Sequence, residues 1–517
     1  MQNKTTLTAK LKKFYDFLCL LTVEPYLFAF MFVLHLKKVP TDQMVQDKIC
    51  LYKYQLDSHY CAVLSTMTSD EDYLQMKSKI LSDTTNYTVY SVILMTLPSV
   101  IASLFIGSWI DNYIKAKKYL LMSYYLVVLV SVLPNVISGG LLIVVCSVWS
   151  YIATTTPSHM RALRMIFAEI ALGIAQPLGS FIAGAVLNTD SLFTRGQLQN
   201  YSGVFAIVGI TSCFQLLWTI YMIDEKKDIR DWEYKFGINA VNNDNLMDTP
   251  ELRVQNKMKS FDQHKHVHPL KLLFNFNNVR EMFHTCFKTR ENHVRIQIWL
   301  LFLSMCFYLL SHLGPVMFMY QFAQKVYSWD SQTYSNASAI ATLVLCLATF
   351  LIAPILLKIF KLKDTTLSMI GLTSYLLMNL TRGLVLSPNG FYLSLIPGCL
   401  GSVASIGIRS HFSKIVKPEE LGKVFNCLSC FEALAPLVAA GVFTSIFNST
   451  MDTIPGLSLI LVALLLIIPL GTVVWIHYFT ALPDDCTNNK VMADKNGNII
   501  AHELLKRTNS KQTNQIE

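Results

Sequence analysis

The stretch Gly107-Ser-Trp-Ile-Asp111-Asn-Tyr-Ile-Lys115-Ala-Lys117-Lys118 leaves one long apolar run and enters another. A glycine lets two helices approach closely, and Asp111 follows Gly107 by about one helical turn. The lysines that come next are typical of a charged loop held at a membrane face. The stretch therefore predicts a short hinge between two membrane-spanning helices. Taken alone, an ordinary short loop is the better interpretation, and the rest of the chain decides.

The composition is that of a membrane protein. Of the 517 residues, 52% are hydrophobic and 15% are charged, whereas soluble domains carry roughly 25% charged residues. The net charge of +9 is spread among short loops, which favours positive-inside sorting over nucleic-acid binding. The first apolar run follows Lys10, Lys12 and Lys13 without a small-residue cleavage site after it. We expect a retained helix rather than a cleaved signal peptide.

Runs of about 20 apolar residues predict twelve transmembrane helices, so the fold class is an all-α membrane protein. The predicted spans are 14–36, 88–110, 119–136, 138–155, 162–187, 203–223, 296–320, 335–357, 366–386, 390–412, 424–447 and 454–479. Spans three and four share a short stretch, and each can only just cross the bilayer.

The spans group into two six-helix halves joined by a linker. The predicted parts are a cytoplasmic N-terminus (1–13), an N-terminal half (14–223) with a long outside loop (37–87), a cytoplasmic linker (224–294), a C-terminal half (295–480) and a cytoplasmic tail (481–517).

Charge and sequons indicate the same orientation. The loops predicted to face the cytoplasm carry most of the loop lysines and arginines, such as Lys115 and Lys414, as the positive-inside rule requires. The glycosylation sequons in, or at the edge of, predicted outside loops are Asn86, Asn200, Asn336 and Asn448. Several of them lie close to the bilayer, which could leave them unmodified.

The cysteines divide into two groups. Most lie inside apolar runs, where a thiol acts as a small hydrophobe. Cys50 and Cys61 lie in the first outside loop and could close a small disulfide ring, although spacing alone leaves the pairing open. Cys427 and Cys430 form a C-x-x-C inside a span, and we interpret them as buried inert thiols because redox cysteines need an accessible, electropositive setting.

The opening stretch resembles the G-x-x-x-D-x-x-G-R-(R/K) loop between the second and third helices of major facilitator transporters. Gly107, Asp111 and Lys115 fit that pattern, while Ile114 replaces its second glycine. The resemblance implies a substrate cavity between two six-helix halves at mid-membrane. It also implies that this loop latches the inner gate.

A second segment is more specific. Arg409-Ser-His-Phe-Ser-Lys414-Ile-Val-Lys417-Pro-Glu-Glu-Leu-Gly-Lys-Val-Phe425 resembles the R-S-x-x-S-K-L-V-x-P-x-E-x-G-K-V-F segment of the solute-carrier 46 family, which comprises the proton-coupled folate transporter and its relatives. The resemblance covers roughly residues 14–480. The Cys50 and Cys61 spacing looks like that of insect-type members. The chain departs from the family at Thr154, where an aspartate is usual.

Ionisable side chains inside the bilayer mark candidate sites because they are costly there. The candidates are Glu24, Glu169, His312, Arg382, Arg409 and Glu432. The family resemblance implies a proton-coupling role for the position of Glu169 and an anion-binding role for that of Arg409. His312 is a weaker assignment, because the histidine of the family's seventh span does not clearly align with it.

Structural alternatives exist for several of these residues. Glu24 precedes Pro25 and could cap a broken helix and pair with a neighbouring chain. Glu432 could bind Arg409 as a structural lock. We expect Arg382 to extend outward to the membrane surface. For Glu169 we favour function, because nothing obvious in its own helix satisfies the carboxylate.

Other chemistries find little support. His264-Lys-His266-Val-His268 lies in the central linker without spaced cysteine or acidic ligands, which favours a solvated loop over a metal site. Walker, dinucleotide, zinc-protease and nucleophile-elbow motifs are missing from the sequence. We therefore predict no enzyme activity, cofactor or metal, and transport energised by an ion gradient.

The sequence as a whole predicts a secondary active transporter of a small organic anion, folate-like or related, that is coupled to protons and works by alternating access. The alternatives are a non-transporting membrane sensor, favoured by Thr154 and the short third and fourth spans, and a lysosomal exporter of muropeptide-like solutes. The predicted partners are the substrate anion, protons and the lipid bilayer. We favour the plasma membrane over the lysosome, and the oligomeric state stays open.

Overall fold

The computed structural model describes residue 15 and residues 18–66, 71–112, 140–191, 197–236, 276–290, 293–360, 362–416 and 418–479. The regular elements in these ranges are helices. They are α1 (Glu24–Lys48), α2 (Ser58–Val63), α3 (Glu71–Asn112), α4 (Gly140–Thr155), α5 (Ser158–Leu187), α6 (Tyr201–Met222), α7 (Glu225–Phe236), α8 (Phe276–Phe287), α9 (Val294–Phe322), α10 (Ser331–Lys358), α11 (Asp364–Leu384), α12 (Pro388–Leu393), α13 (Leu395–Gly398), α14 (Val403–Ile415), α15 (Pro418–Thr450), α16 (Leu457–Leu465) and α17 (Ile467–Phe479).

Within the described ranges, seven helical segments are long and apolar enough to cross a membrane. They are Arg164–Leu187, Tyr201–Met222, Val294–Tyr327, Ser331–Ile352, Pro388–Ile415, Cys427–Thr450 and Leu457–Tyr478. Many of their large apolar side chains face outward. Such a surface is costly in water and is what a helix needs in lipid.

Helix packing repeats between the two halves of the chain. In the N-terminal half α1 packs on α5, and in the C-terminal half α9 packs on α15. Across the halves, α5 packs on α10 and α15 packs on α3. The fifth helix of each half thus contacts the second helix of the other, as expected for two repeats related by a pseudo-two-fold axis.

Small side chains allow α5 to lie close against α1. Ala175, Gly179 and Ala183 follow one another at intervals of four residues and so share one face of α5. A Cβ atom on Gly179 would lie 2.6 Å from the Phe32 carbonyl oxygen. Close approach of this kind is typical of helix pairs in membranes. In lipid the hydrophobic effect does not drive helices together, so they associate through close packing, which small residues allow.

Helical structure replaces most of the predicted outside loop at 37–87. The first helix begins at Glu24 and continues to Lys48, and the second begins at Glu71. Hydropathy ends a span where charged residues begin, but charged residues do not end a helix. One end of α1 and one end of α3 therefore extend beyond the apolar spans. The predicted loop is reduced to the segment between Lys48 and Glu71.

Other boundaries also differ from the sequence prediction. The predicted linker contains α7 at its start and α8 near its end, and residues 237–275 lie outside the described ranges, as do the three histidines. The predicted tenth span is broken into α12, α13 and α14. The third span, the first thirteen residues and the C-terminal tail also lie outside the described ranges.

Candidate functional site

A buried arginine–glutamate pair holds the inner end of the N-terminal half. Arg164 Nε donates to Glu24 Oε1 at 2.6 Å. Arg164 Nη1 donates to the hydroxyls of Thr155 and Thr156 at 2.8 and 3.0 Å. The guanidinium lies 4.8 Å from the centre of the Trp232 ring. We call these five residues the inner lock.

The inner lock continues into α7, beyond the last predicted span of this half. Asp228 Oδ2 accepts from the Thr22 hydroxyl at 2.5 Å and from the Tyr151 hydroxyl at 2.6 Å. Burial raises the pKa of Asp228, although these hydrogen bonds act in the opposite direction. The sequence reading missed Asp228 and Trp232 because it placed them in a linker. The apolar residues Ile229 and Trp232, three apart among charged ones, were the available signal.

Glu24 is therefore engaged with Arg164 rather than with the other predicted candidates. It lies in the first turn of α1, just before Pro25 at the helix start, where an acidic side chain also suits the helix dipole. Glu24 makes no helix cap, and its part in proton coupling stays a prediction.

A second arginine–glutamate pair lies in the C-terminal half and is only partly covered. Arg409 Nη2 donates to Glu432 Oε1 at 2.8 Å. The Arg409 side chain remains 49% exposed, whereas Glu432 is 9% exposed. This guanidinium keeps donors that a ligand can reach, because one carboxylate oxygen occupies only part of its fork.

The N-terminal half contributes Glu169 to the same place. Glu169 on α5 is exposed, and the charge of Arg409 acts on it. The charge of Glu169 in turn acts on the Cys346 thiol of α10. One turn further along α5, a Cβ atom on Gly173 would lie 2.9 Å from the Phe350 ring of α10. Glu169 thus faces the second half of the molecule.

His312 adjoins this pair through aromatic rings. Its ring centre lies 6.0 Å from that of Tyr308 and 5.6 Å from that of Tyr375. The charge of Arg409 also acts on Tyr308. We call the Arg409–Glu432 pair, Glu169 and the His312 ring that packs on Tyr308 and Tyr375 the central cluster, and the functional roles of its members stay predictions.

Arg382 does not extend outward as predicted. It is 7% exposed, its Nε donates to the Ser394 hydroxyl at 2.8 Å, and its guanidinium lies 4.6 Å from the centre of the Phe391 ring. The prediction failed because α12 folds back over the end of α11 and covers the side chain.

Polar side chains close the outer face between the two halves. Gln43 Nε2 donates to Asp47 Oδ1 at 2.7 Å, and the Tyr201 hydroxyl donates to Asp47 Oδ2. From the C-terminal half, the Tyr320 hydroxyl donates to Gln43 Oε1, and Gln324 Nε2 donates to the same oxygen at 3.1 Å. We call these five residues the outer network. Sequence reasoning missed it because Gln43 and Asp47 lay in the predicted loop.

Further contacts join the outer ends of the halves. Lys325 Nζ donates to Asp452 Oδ1 at 2.6 Å and to the Ser78 hydroxyl at 2.5 Å. The Ser331 hydroxyl donates to Gln199 Oε1 at 3.0 Å. These contacts and the outer network lie at one end of the bundle. The structure therefore represents a state that is closed at this end of the bundle, which the loop charges predict to be the outer face.

A groove of about 650 Å³ opens beside Glu24 and is lined mainly by apolar side chains of α1, α5 and α6, such as Phe28 and Ile170. Neither Arg409 nor Glu169 lines it. The groove and the paired charges of Arg409 and Glu169 thus lie in different places. The central cluster is the better candidate site because it carries the charged groups.

The fold and the pairing of the two halves can now be compared with known proteins. A family model described as Major Facilitator Superfamily matches residues 78–440. The chain belongs to the major facilitator superfamily. Its helix arrangement is also similar to two solved transporters at low sequence identity. The human organic anion transporter MFSD10 (TETRAN) has a TM-score of 0.53 and 14% identity, covering 89% of this chain and 98% of that one. A partially occluded inward-open structure of the xylose transporter XylE from E. coli has a TM-score of 0.52 and 13% identity, covering 90% of this chain and 100% of that one.

Within the superfamily, similar curated proteins are solute-carrier 46 members, in agreement with the resemblance seen in the Arg409 segment. The lysosomal proton-coupled steroid conjugate and bile acid symporter of Gallus gallus is 30% identical over 37% of this chain and 40% of that protein. The probable peptidoglycan muropeptide transporter of Drosophila melanogaster is 20% identical over 87% of this chain and 85% of that protein. The proton-coupled folate transporter of Bos taurus is 25% identical over 62% of this chain and 59% of that protein. The chain thus matches well under two thirds of the chicken and bovine proteins.

Membership of the superfamily makes the chain a multi-pass membrane protein of a transporter family rather than an enzyme family. Of the predicted hinge, Gly107 and Asp111 lie in the last turns of α3, and Lys115 lies outside the described ranges. The latch role of this loop stays a prediction.

The outer face of this superfamily member carries the predicted disulfide. Cys50 and Cys61 are bonded, with their Cα atoms 5.9 Å apart. The bond closes the short segment between α1 and α3. Cys427 and Cys430 are buried, and neither forms a disulfide within the described residues.

The four sequons differ in their surroundings. Asn200 is buried and caps α6, and its amide nitrogen donates to the Thr189 hydroxyl at 2.8 Å. This arrangement argues against a glycan on Asn200. Asn448 donates to Asn86 at 3.1 Å, and Asn336 lies on α10 facing Gly184. Modification of these three stays a prediction.

Proposed function

We propose that this protein is a secondary active transporter that couples protons to the movement of a small organic anion by alternating access. The observation that carries the proposal is the half-exposed Arg409 guanidinium, held by Glu432 from its own half and facing Glu169 from the other. Charged groups that meet between the two halves of such a fold are where substrate and coupling ion are expected.

The roles of the charged residues follow from competition for one cation. An ionised Glu169 neutralises part of the field of Arg409, so that an incoming carboxylate gains less by binding. A proton taken up by Glu169 removes this competition and leaves the guanidinium to the substrate. Anion and proton therefore bind together. Glu432 keeps Arg409 oriented because it holds one side of the fork.

Alternating access requires the closed outer face to open. The outer network and the Lys325–Ser78 contact would break together, while the Gly107 to Lys118 loop would latch the inner face. Each lost hydrogen bond costs about 1 kcal/mol, and water replaces most of it at an exposed surface. The closed face is thus stable enough to populate and weak enough to reverse.

The substrate class that we propose is a carboxylate-bearing solute, folate-like or muropeptide-like. The support is the guanidinium of Arg409, whose planar fork matches a carboxylate, together with the names of the bovine and fly relatives. We favour the plasma membrane as its location.

The test is uptake of labelled folate and of a labelled muropeptide by cells that display the protein at the surface, at acidic and neutral external pH. Glu169→Gln should abolish the acid stimulation because the exchangeable proton is gone. Arg409→Ala should lower uptake by roughly 10- to 100-fold, since hydrogen bonds to charged groups contribute about 1.5–3 kcal/mol. Asp83→Asn and Arg280→Ala, which alter charged side chains remote from the central cluster, are the matched controls.

Surface protein that moves neither solute at either pH would contradict transport of these substrates and favour the non-transporting sensor. Uptake that survives in both variants would contradict the assigned roles of Glu169 and Arg409.

A further inference from the structure

We propose that Arg382 forms a second, outer anion subsite, which receives the acidic group of the substrate when the outer face opens. The inference rests on the proposed transport function and extends it, because it adds a binding residue outside the central cluster. The ligand chemistry is an oxyanion, either carboxylate or sulfate ester, attached to an organic body.

Arg382 is a buried charge without an acidic partner among the described residues. Its Nε bonds to the Ser394 hydroxyl, and its guanidinium rests on the Phe391 ring. Arg164 and Arg409 each face a glutamate instead. A buried guanidinium that lacks a counter-ion carries a large desolvation cost. An anion that visits the site would supply the missing charge.

A tyrosine hydroxyl beside Arg382 also lacks a partner. Tyr327 is 6% exposed, and its Oη has no hydrogen-bond partner in the described structure. The Tyr327 ring centre lies 6.4 Å from that of Phe391, the ring on which the Arg382 guanidinium rests, and the charge of Arg382 also acts on Tyr334 and Tyr375. If this position served packing alone, phenylalanine would fill it without leaving a buried polar atom unsatisfied. A guanidinium fork and a hydroxyl together provide the donors that an oxyanion accepts.

The position of Arg382 relates the site to the outer network. The Tyr334 ring centre lies 5.0 Å from that of Tyr320, whose hydroxyl bonds to Gln43 across the two halves. Separation of the halves would remove Gln43 from Tyr320 and open the way to Tyr334 and Arg382. The subsite is thus covered in the closed state and lies immediately behind the closure.

The same helix leads from Arg382 towards the central cluster. Tyr375 precedes Arg382 by two turns of α11 on the same face, about 10 Å away along the axis. Its ring contacts that of His312, which belongs to the central cluster. An anion released from Arg382 would therefore meet Tyr375 and His312 before Arg409. The two arginines form an outer and a central station on one route.

The experiment measures binding to the purified full-length protein rather than transport. Benzoate and phenyl sulfate are the anionic probes, and benzamide is the neutral probe of matched shape. Affinity is read from the shift in melting temperature as each probe is titrated, in the wild-type protein and in an Arg409→Ala background that removes the central arginine. We expect saturable binding of the anions, but not of benzamide, in both proteins.

Variants of the subsite give the decisive comparison. In the Arg409→Ala background, Arg382→Gln should weaken the anion affinity about tenfold or more, because charge-assisted bonds are lost. Tyr327→Phe should weaken it severalfold without lowering the melting temperature, since the removed hydroxyl has no partner in the closed state. Ser394→Ala, which keeps the guanidinium but loses one packing hydrogen bond, is the structural control and should lower stability more than affinity.

Opening the outer face provides an independent arm. Gln43→Ala removes the acceptor that Tyr320 and Gln324 share and so raises the population of the open state. Anion affinity at Arg382 should increase in proportion to that population. A gate variant with unchanged affinity would contradict a site that lies behind the closure.

Three results would overturn the subsite. They are equal responses to benzoate and benzamide, an Arg382→Gln variant of the Arg409→Ala protein that folds and binds anions like its parent, and a Tyr327→Phe variant that is merely more stable with unchanged affinity. If Arg382→Gln fails to fold, Tyr327→Phe and Gln43→Ala still decide. Anion binding that persists in Arg409→Ala while uptake is lost separates this proposal from the proposed function.

Discussion

The inner lock and the central cluster each contain an arginine from one helix paired with a glutamate from another. The two arginines differ in how many of their hydrogen-bond donors are occupied. Arg164 is fully buried, and its donors reach Glu24 and two threonine hydroxyls while its face covers Trp232. Arg409 touches one glutamate oxygen and is 49% exposed. Charge chemistry alone therefore does not separate a structural pair from a functional one. The number of donors left over does.

A saturated guanidinium has nothing to offer a ligand, and its removal leaves a buried carboxylate unpaired. An unsaturated guanidinium tolerates loss of its partner because water reaches it, and it keeps donors for an anion. The outer network is a third case, since it is buried in the closed state but would have to open in every cycle. The predictions below test these distinctions.

The largest expected effect concerns stability and distinguishes the two arginines directly. Arg164→Ala should destabilise the protein by about 3–5 kcal/mol, because an uncompensated charge remains buried on Glu24. Glu432→Gln should cost about 1 kcal/mol or less, since the Arg409 guanidinium that it leaves behind is half exposed and stays hydrated. The measurement is thermal unfolding of the two purified variants under identical conditions. Equal losses of stability would break the comparison.

The next effect is a pH dependence of outer closure. Burial raises the pKa of Asp47 to about 6, although hydrogen bonds from Tyr201 and Gln43 act in the opposite direction. In an open state the carboxyl would be exposed and titrate near its ordinary value of about 3.9. The closed state thus binds the proton more tightly, so that protons favour closure between about pH 4 and 6, and closure weakens as the pH rises through about 6.

Spin labels report this equilibrium across the outer face. The labels would be placed at Tyr52→Cys and Ile454→Cys, which are exposed positions in opposite halves, after replacement of the exposed Cys19 and Cys213 by serine. The closed-to-open ratio should fall by about tenfold from pH 5 to pH 7, because about one pH unit of the interval between the two pKa values lies above pH 5. Asp47→Asn should flatten this dependence. A variant with the wild-type pH profile would show that another group titrates.

A smaller shift is expected from a single hydrogen bond in the outer network. Tyr320→Phe removes the hydroxyl that donates to Gln43 and leaves the ring in place. The closed state should lose about 1 kcal/mol relative to the open state, measured with the same labels at one pH. Tyr308→Phe is the matched control on the same helix, because its ring faces the central cluster. An identical shift in both variants would indicate general loosening of α9.

The smallest effect concerns an ion pair at the inner surface. Lys288 bonds to Glu420 at 3.0 Å with its own side chain 55% exposed. Lys288→Ala should change the free energy of unfolding by less than about 0.5 kcal/mol, because solvent screens exposed pairs. Arg290→Ala, which removes the less exposed partner of Glu420, should cost more. A large loss from Lys288→Ala would mean that exposure is a poor guide to pair strength here.

Part of the candidate site could be predicted from the sequence. Glu169, Arg409, Glu432 and His312 were recognisable because an ionisable residue inside an apolar run is unusual, and they form the central cluster. The disulfide between Cys50 and Cys61 was foreseen as a possibility for a similar reason, since both cysteines stood outside the apolar runs.

The partners of buried charges could not be predicted. Glu24 was recognised as a candidate, but Arg164 lies 140 residues away, and no local pattern relates the two. The burial of Arg382 depends on α12, which hydropathy had merged into a continuous span. Gln43 and Asp47 were hidden because a helix that leaves the bilayer looks like a loop to a method based on apolar length.

The sequence by itself determined that the chain is a helical membrane protein of the major facilitator superfamily, because apolar run length, loop charge and the Arg409 segment are local properties. Only the tertiary structure decided which arginine is saturated, which is half open and which is buried without an acid. These states depend on hydrogen bonds between residues far apart in the chain, and such bonds exist only once the helices have packed.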